Sequence, residues 1–278
     1  MRINLNLNLE NCDSVTPNYY FPLSVAIQDL LGFKTDEFKN YLKKIGLGHK
    51  SSLYNIFSFA LRFQDYTHTE NKIILNNPKA NLVITAPLID EYLTVQAEKI
   101  IDKKIEFGNS SCYSIFNIEN VSILRNPDFK EKMKFSLFSP IVLCRVSEVQ
   151  GKNYQYFLRP GDQETNDLLT NNLKYKYRLI HNKPAPFGRV LLNWDRRYID
   201  THKRITKKIS ILQNKEKRYD IIGIQAPFTI EGDPELIKVG YETGFGEKNS
   251  IGFGMAEGIR SDYVFKEDLE LEQPESLA

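Results

Sequence analysis

From Arg2 to Leu9 apolar and polar residues alternate, with Ile3, Leu5, Leu7 and Leu9 on one side. That period of two predicts a strand buried on one face. Pro22 then stands at a helix start, Leu23, Ala26, Ile27, Leu30 and Leu31 fall on one helical face, and Gly32 ends the element. A short helical stretch from Thr35 to Lys44 follows. Apolar runs at Ile56–Phe63, Lys72–Leu75 and Asn81–Thr85 read as strands. Thr85, Pro87 and Asp90 open another helix, with Ile89, Leu93, Ala97, Ile100 and Ile101 assigned to its buried side, and Lys104–Leu124 is strand-like again. The order is β-α-β-β-α-β with one small extra helix, the ferredoxin-like unit.

The pattern breaks at Asn126–Pro127 and charged residues run to Lys134. A similar order then restarts. Phe135–Val146 is a strand interrupted at Ser139–Pro140, Tyr154–Leu158 is a second, and Asp162–Lys176 is a helix with Leu168, Leu169 and Leu173 inward. Two long strands, Arg204–Leu212 and Arg218–Ile230, are joined by a polar QNKEK tip, which predicts a protruding hairpin. Asp233-Pro234-Glu235 supplies an N-cap, a proline at the first helical position and an acid in the first turn. Leu236, Ile237 and Val239 carry that helix into a glycine-rich stretch. Ile251–Ala256 is expected to be the last strand, and the acidic tail after Lys266 is expected to be loose. The expected fold is α+β: two tandem βαββαβ domains, 1–130 and 131–278, related in architecture without a visible residue-level repeat.

Composition adds little to this until its distribution is considered. The 278 residues, 41% hydrophobic and 26% charged, suit a globular protein with a real core, and the net charge is only +2. No run approaches a bilayer-spanning length, and the N-terminus lacks a basic flank followed by an apolar region, so a cytoplasmic protein without membrane contact is expected. Cys12, Cys112 and Cys144 are far apart, as are His49, His68, His181 and His202. No CxxC pair, HExxH or ligand cluster occurs, so neither a metal nor another cofactor is expected, and the thiols are expected to be buried or half-buried. The charge is concentrated between Arg196 and Arg218, where Arg196, Arg197, Lys203, Arg204, Lys207, Lys208, Lys215, Lys217 and Arg218 face only Asp200 and Glu216. Such a segment is either a polyanion site or a solvated basic hairpin.

The stretch GYETGFGEKNSIGFG, residues 240–254, holds five of the fifteen glycines. It is not a dinucleotide fingerprint, because a helix precedes it and a strand follows, and its spacing departs from GxGxxG. It is not a P-loop either, since Lys248 follows Glu247 rather than glycine and Asn249 separates it from Ser250. What remains is a helix–loop–strand element. Either its backbone N–H groups and Lys248, Asn249 and Ser250 receive an anion, or its glycines only permit close packing.

The string GFGEKNSIGFG after a DPELIKVG helix resembles the C-terminal loop of the CRISPR repeat-processing endoribonucleases, members of the repeat-associated RAMP proteins. PNYYFPLSVAIQDLL resembles that family's first-helix entry, IFSFALRF the strand after its active-site segment, and FSLFSPIVLCRV the strand opening its second domain. The resemblance spans the chain in the expected order and implies two ferredoxin-like domains. It implies metal-independent cleavage of CRISPR precursor RNA within each repeat, the 2′-hydroxyl attacking the adjacent phosphate to leave a 2′,3′-cyclic phosphate and a 5′-hydroxyl. The implied partners are repeat RNA and CRISPR effector complex subunits, with the enzyme a monomer or homodimer. The competing reading is a non-catalytic repeat-RNA-binding subunit of an interference complex.

On that resemblance His49, eight residues before Phe57 in a polar GLGHKSS segment, takes the place of the family's active-site histidine, a side chain whose pKa of ~6.5 suits either proton-transfer role. The family's partner Tyr and Lys are replaced here by Gln28 and Asn55. Lys50 as the nearest cation and Tyr54 or Tyr20 as a hydroxyl are the candidate substitutes, and losing one such helper costs about 10²-fold in rate. RNA contact is expected at Lys203, Arg204, Lys207 and Lys208 and at Gly244, Gly246, Lys248, Asn249 and Ser250. Tyr198 and Trp194 are candidates to stack bases, His202 to touch RNA, and Trp194 equally a core residue.

Overall fold

A computed structural model of the protein describes residues 1–47, 57–149, 151–213 and 217–259. The first half is built from β1 (Arg2–Leu9), β2 (Ser14–Val15), α1 (Tyr20–Leu30), α2 (Asp36–Lys44), β3 (Ser58–Phe63), β4 (Tyr66–His68), β5 (Ile73–Leu75), β6 (Lys79–Thr85), α3 (Asp90–Lys99), β7 (Lys104–Asn109) and β8 (Cys112–Leu124). Its main sheet runs β3-β6-β1-β8-β7, all antiparallel. Counting β8 as the fourth strand, the order is second, third, first, fourth, as a βαββαβ unit requires. Strand β5 leaves this sheet and pairs with β2 and β4 in a small sheet of its own. Ile3, Leu5, Leu7 and Leu9 are buried as their alternation predicts, against Leu23, Ile27 and Leu31 of the α1 region and Leu93 and Ala97 of α3. Ile101, assigned to the buried side, is 41% exposed, because α3 ends at Lys99 and the chain turns before it.

Helix ends in this half use glycine. Leu31 caps α1, after which Gly32 (φ 68) donates to Asp29 and Phe33 donates to the Gln28 carbonyl at 2.9 Å. This is the paired bonding of a Schellman turn. It delivers the Phe33 ring onto Phe38 and Phe57. Helix α2 begins on a Thr35 cap that accepts from Phe38 N–H, and it ends the same way, with Leu47 donating to Leu42 at 2.7 Å.

The second half comprises β9 (Lys132–Leu137), β10 (Cys144–Val149), β11 (Lys152–Phe157), α4 (Thr165–His181), β12 (Leu191–Trp194), α5 (Arg196–Thr201), β13 (Thr206–Gln213), β14 (Lys217–Ile224), β15 (Phe228–Glu231), α6 (Pro234–Thr243) and β16 (Ala256–Gly258). Its sheet order, β12-β15-β9-β16, is again second, third, first, fourth around α4 and α6. Two sequence expectations are corrected here. The long strand from Arg218 to Ile230 is two strands, because Pro227 has no N–H for a ladder and the chain changes sheets across Gln225–Pro227. The hairpin β13–β14 therefore stands outside the main sheet, whose second strand is the four-residue β12. The final strand is Ala256–Gly258, with a 3₁₀ turn at Asn249–Ile251 where a strand start was expected.

The halves pack face to face. Ala60 and Val83 of the first sheet meet Met255, with Leu124 and Phe138 alongside. The Arg2 guanidinium, fully buried, lies 3.3 Å from the Tyr241 ring centroid and donates to the Tyr241 carbonyl at 2.5 Å and to Glu257 at 3.1 Å. The polar face of β1 is thus covered at its N-terminal end by the second half.

Candidate functional site

Helix α6 starts on Asp233, whose carboxylate accepts from Glu235 N–H at 2.8 Å, and its end feeds the glycine-rich loop into the seam between the halves. Gly246 (φ 76) and Gly254 (φ 77) are required there. Both are left-handed, and a Cβ on either would strike a backbone carbonyl, that of Val142 or of Phe245 respectively. The loop closes on itself and its surroundings through Phe245 N–H to Gly254, Glu247 N–H to Val142 and Gly254 N–H to Pro140, at 2.7, 2.7 and 2.8 Å. Those three N–H groups are therefore occupied within the protein.

The interior of the loop holds a cation. Lys176 of α4 is buried, and its Nζ donates to the Gly244 carbonyl, the Gly246 carbonyl and Asn249 Oδ1, each at 2.7 Å. Burial pushes this ammonium down to about 7, with Glu247 acting in the opposite direction. Asn249 completes the cage, its Nδ2 donating to the Phe253 carbonyl at 2.9 Å. Gly244, Gly246 and Asn249, expected to meet RNA, are therefore buried, with their oxygens turned onto a lysine. Lys248 and Ser250 on the same loop are half-buried.

The outer side of the loop is tied to α1. The Ser250 carbonyl accepts from Ser24 Oγ at 2.6 Å, and Gln28 Nε2 donates to Ser24 Oγ at 3.3 Å. A hydrogen-bonded path thus runs from the loop to Gln28. The Tyr20 ring is stacked between Tyr19 and Phe253, at centroid distances of 4.6 and 5.0 Å. Burial pushes its hydroxyl up to about 12, so Tyr20 stays neutral and is a poor proton donor. His49, Lys50, Tyr54 and Asn55 lie outside the described residues. The chain enters that segment at Leu47, just past α2, and leaves it at Phe57, which is buried against Phe33 and Phe59 beside α1.

Hairpin β13–β14 borders the same seam. Ile209, Ile211 and Ile221 pack on Val142 and Phe253, with Tyr20 and Phe21 alongside, and Ser210 N–H donates to Asn18 at 3.2 Å. Lys203, Arg204 and Lys207 are exposed, and they have no carboxylate partner among the described residues. Lys208 pairs with Asp220 at 2.7 Å and remains 61% exposed, and this pairing holds the Asp220 carboxyl below its usual range. Trp194 sits edge-on to Phe228 at 5.8 Å, which favours the core reading. His202 stacks on Tyr198 at 3.7 Å, and its Nδ1 lies 2.8 Å from the Tyr198 carbonyl. His68 is exposed on β4, and His181 lies 4.3 Å from Tyr177 at the end of α4. Among the described residues no group of three or more His, Cys, Asp or Glu could hold a metal ion, and no helix is long and apolar enough to cross a membrane.

Residues 124–258, from the end of β8 to β16, match the family model for the C-terminal region of CRISPR-associated protein Cas6. A curated protein of Methanocaldococcus jannaschii, CRISPR-associated endoribonuclease Cas6 1, is 28% identical over 260 residues, covering 93% of both chains. The chain is similar to Cas6 proteins over nearly its whole length. A Pyrococcus furiosus protein, CRISPR-associated endoribonuclease Cas6, is 31% identical over 160 residues, 57% of this chain and 53% of that one. A solved structure titled CRISPR associated protein Cas6 superposes with a TM-score of 0.71 at 27% identity, covering 94% of this chain and 99% of its own. The Cas6 model match contains Lys176 and the whole loop that wraps it. Lys176 is the residue that sequence reasoning missed. Its signal was present, because Lys176 shares the inward stripe of Leu169, Leu173 and Tyr177 at helical spacing.

Proposed function

We propose that this chain is a Cas6-family endoribonuclease that cuts CRISPR precursor RNA within its repeats, built on two tandem ferredoxin-like domains divided near residue 130. The observation that carries this reading is the relationship over 93% of the chain to a protein named as a CRISPR-associated endoribonuclease. The same strand order in both halves agrees with it. In the reaction proposed, the 2′-hydroxyl before the break attacks the phosphate, giving 2′,3′-cyclic phosphate and 5′-hydroxyl ends. His49 transfers protons, Lys50 offsets charge on the phosphorane, and Tyr54 contributes a hydroxyl. Lys203, Arg204, Lys207 and Lys208 hold phosphates, and Lys248 and Ser250 border the RNA path where α1 meets the loop.

Gln28 and Asn55 in place of the family's Tyr and Lys favour a second reading, a repeat-binding subunit without catalysis. End-group analysis separates the two. Repeat RNA incubated with the protein in EDTA is expected to yield fragments with 2′,3′-cyclic phosphate and 5′-hydroxyl ends. Intact RNA that is nonetheless bound would select the second reading. Cleavage only with added divalent metal, leaving 5′-phosphates, would refute the proposed chemistry.

A further inference from the structure

Cys12 lies three residues past the end of β1, and Cys112 opens β8, the strand on which β1 is paired. Their thiols converge on one atom. Cys12 Sγ donates to the Ser14 carbonyl at 3.2 Å and Cys112 Sγ donates to the same oxygen at 3.6 Å. Cys12 Sγ is also 3.7 Å from the carbonyl of Tyr113, the residue after Cys112, and Cys112 Sγ is 4.0 Å from Ser14 Oγ. The backbone beside Cys12 is held against β8 by Asn11, which donates to the Tyr113 carbonyl and accepts from Ile115 N–H, both at 2.9 Å. Both sulfurs thus lie within 3.6 Å of one oxygen, and closing the ~2.05 Å sulfur–sulfur bond requires their Cβ atoms to come to about 4 Å apart with a dihedral near ~90°.

We propose that Cys12 and Cys112 are a thiol pair that closes to an intramolecular disulfide in the folded protein. Cys12 is exposed, where a buried or half-buried thiol was expected, and takes the incoming oxidant. Cys112 is half-exposed and resolves the adduct. The oxidant is a low-molecular-weight disulfide such as oxidised glutathione. The Cys12 thiolate attacks one of its sulfurs, forming a mixed disulfide and releasing one glutathione thiolate. The Cys112 thiolate, its proton given to solvent, then attacks the Cys12 sulfur and expels the second glutathione. The chain loses two protons and two electrons, and the oxidant gains both as two thiols. Cys144 stands apart from this chemistry. It is buried, its Sγ donates to Glu247 at 3.1 Å, and burial pushes the thiol up to about 11.

The bond would close a loop of about a hundred residues, reaching from β2 to β7. Such a cross-link restricts the unfolded chain, and an unfolding midpoint about 5–10 °C higher is expected. The test uses the full chain in oxidised and reduced glutathione at a series of ratios, quenched in acid, alkylated and mapped by peptide mass. The expected product is a monomer two hydrogens lighter, in which the Cys12 and Cys112 peptides are joined until a reductant is added. Cys144→Ser leaves this product intact, whereas Cys112→Ser stops at glutathione held on Cys12. Persistence of that Cys12 adduct in the wild type with Cys112 free, or Cys12-to-Cys12 cross-linked dimers, would overturn the pairing. So would an unchanged wild type under conditions that oxidise a dithiol control.

Discussion

Replacing Lys176 by methionine isolates the role of the glycine-rich loop. The substitution keeps a long, unbranched side chain, so no large cavity forms. It removes the ammonium that joins the Gly244 carbonyl, the Gly246 carbonyl and Asn249 Oδ1 at 2.7 Å. Each buried acceptor left without a partner costs about 1–3 kcal/mol. Removing a buried ammonium returns part of that, since burying the charge is itself unfavourable. The acceptors win, because the Gly246 carbonyl and Asn249 Oδ1 lose this donor at once and the Gly244 carbonyl keeps Thr243 Oγ1 at 3.4 Å, in a backbone fixed by left-handed glycines. A net loss of about 2–4 kcal/mol is expected in urea unfolding at pH 7. The pH dependence supplies a second reading. The unfolded chain keeps the lysine proton to the ordinary 10.5, whereas the folded chain keeps it only to about 7. Between those values the unfolded state binds more protons, so wild-type stability from this residue rises with pH, by at most about 1.4 kcal/mol per pH unit, and is lost as pH falls back to 7. The methionine variant lacks that slope, so the difference between the two proteins widens from pH 7 to pH 9. A variant within about 0.5 kcal/mol of wild type, or one with the same pH slope, would refute the cage.

Removing Lys203, Arg204 and Lys207 together by alanine should weaken repeat-RNA binding at least tenfold, lower the slope of log affinity against log salt by about 2, and leave the thermal midpoint unchanged. Arg2→Ala removes a fully buried cation that joins β1 to Tyr241 and Glu257, and a loss of about 2–4 kcal/mol in chemical unfolding is expected. Gly254→Ala forces a Cβ into the Phe245 carbonyl at φ 77 and should give insoluble or strongly destabilised protein, whereas Gly151→Ala, with nothing nearby to strike, should cost under about 2 kcal/mol by thermal unfolding.

The first half was legible because its elements are long and periodic. Alternation on β1 and the Leu23–Leu31 stripe on α1 each met one large buried face, so pattern and packing agreed. The burial of Arg2 was not legible, since alternation along a strand cannot show that another part of the chain covers the other side. In the second half β12 has four residues, too few to carry a period. The β14–β15 boundary was visible as Gln225-Ala226-Pro227 and outweighed by the β-branched residues around it. The glycine loop carried the family resemblance, yet its direction of bonding was hidden. Glycine spacing shows where a backbone can bend but not whether its carbonyls or its N–H groups point inward, and here Lys176, about seventy residues earlier in the chain, decides it. The exposure of Lys203, Arg204 and Lys207 was legible from the density of charge between Arg196 and Arg218, because so many cations cannot be buried together.

His49 is proposed to transfer protons in cleavage of the repeat. Single-turnover rates on repeat RNA in EDTA, measured for wild type and His49→Ala at saturating protein, test this most directly. The variant is expected to bind RNA as wild type does and to cut at least ~10²-fold more slowly. Equal rates for the two proteins would contradict it.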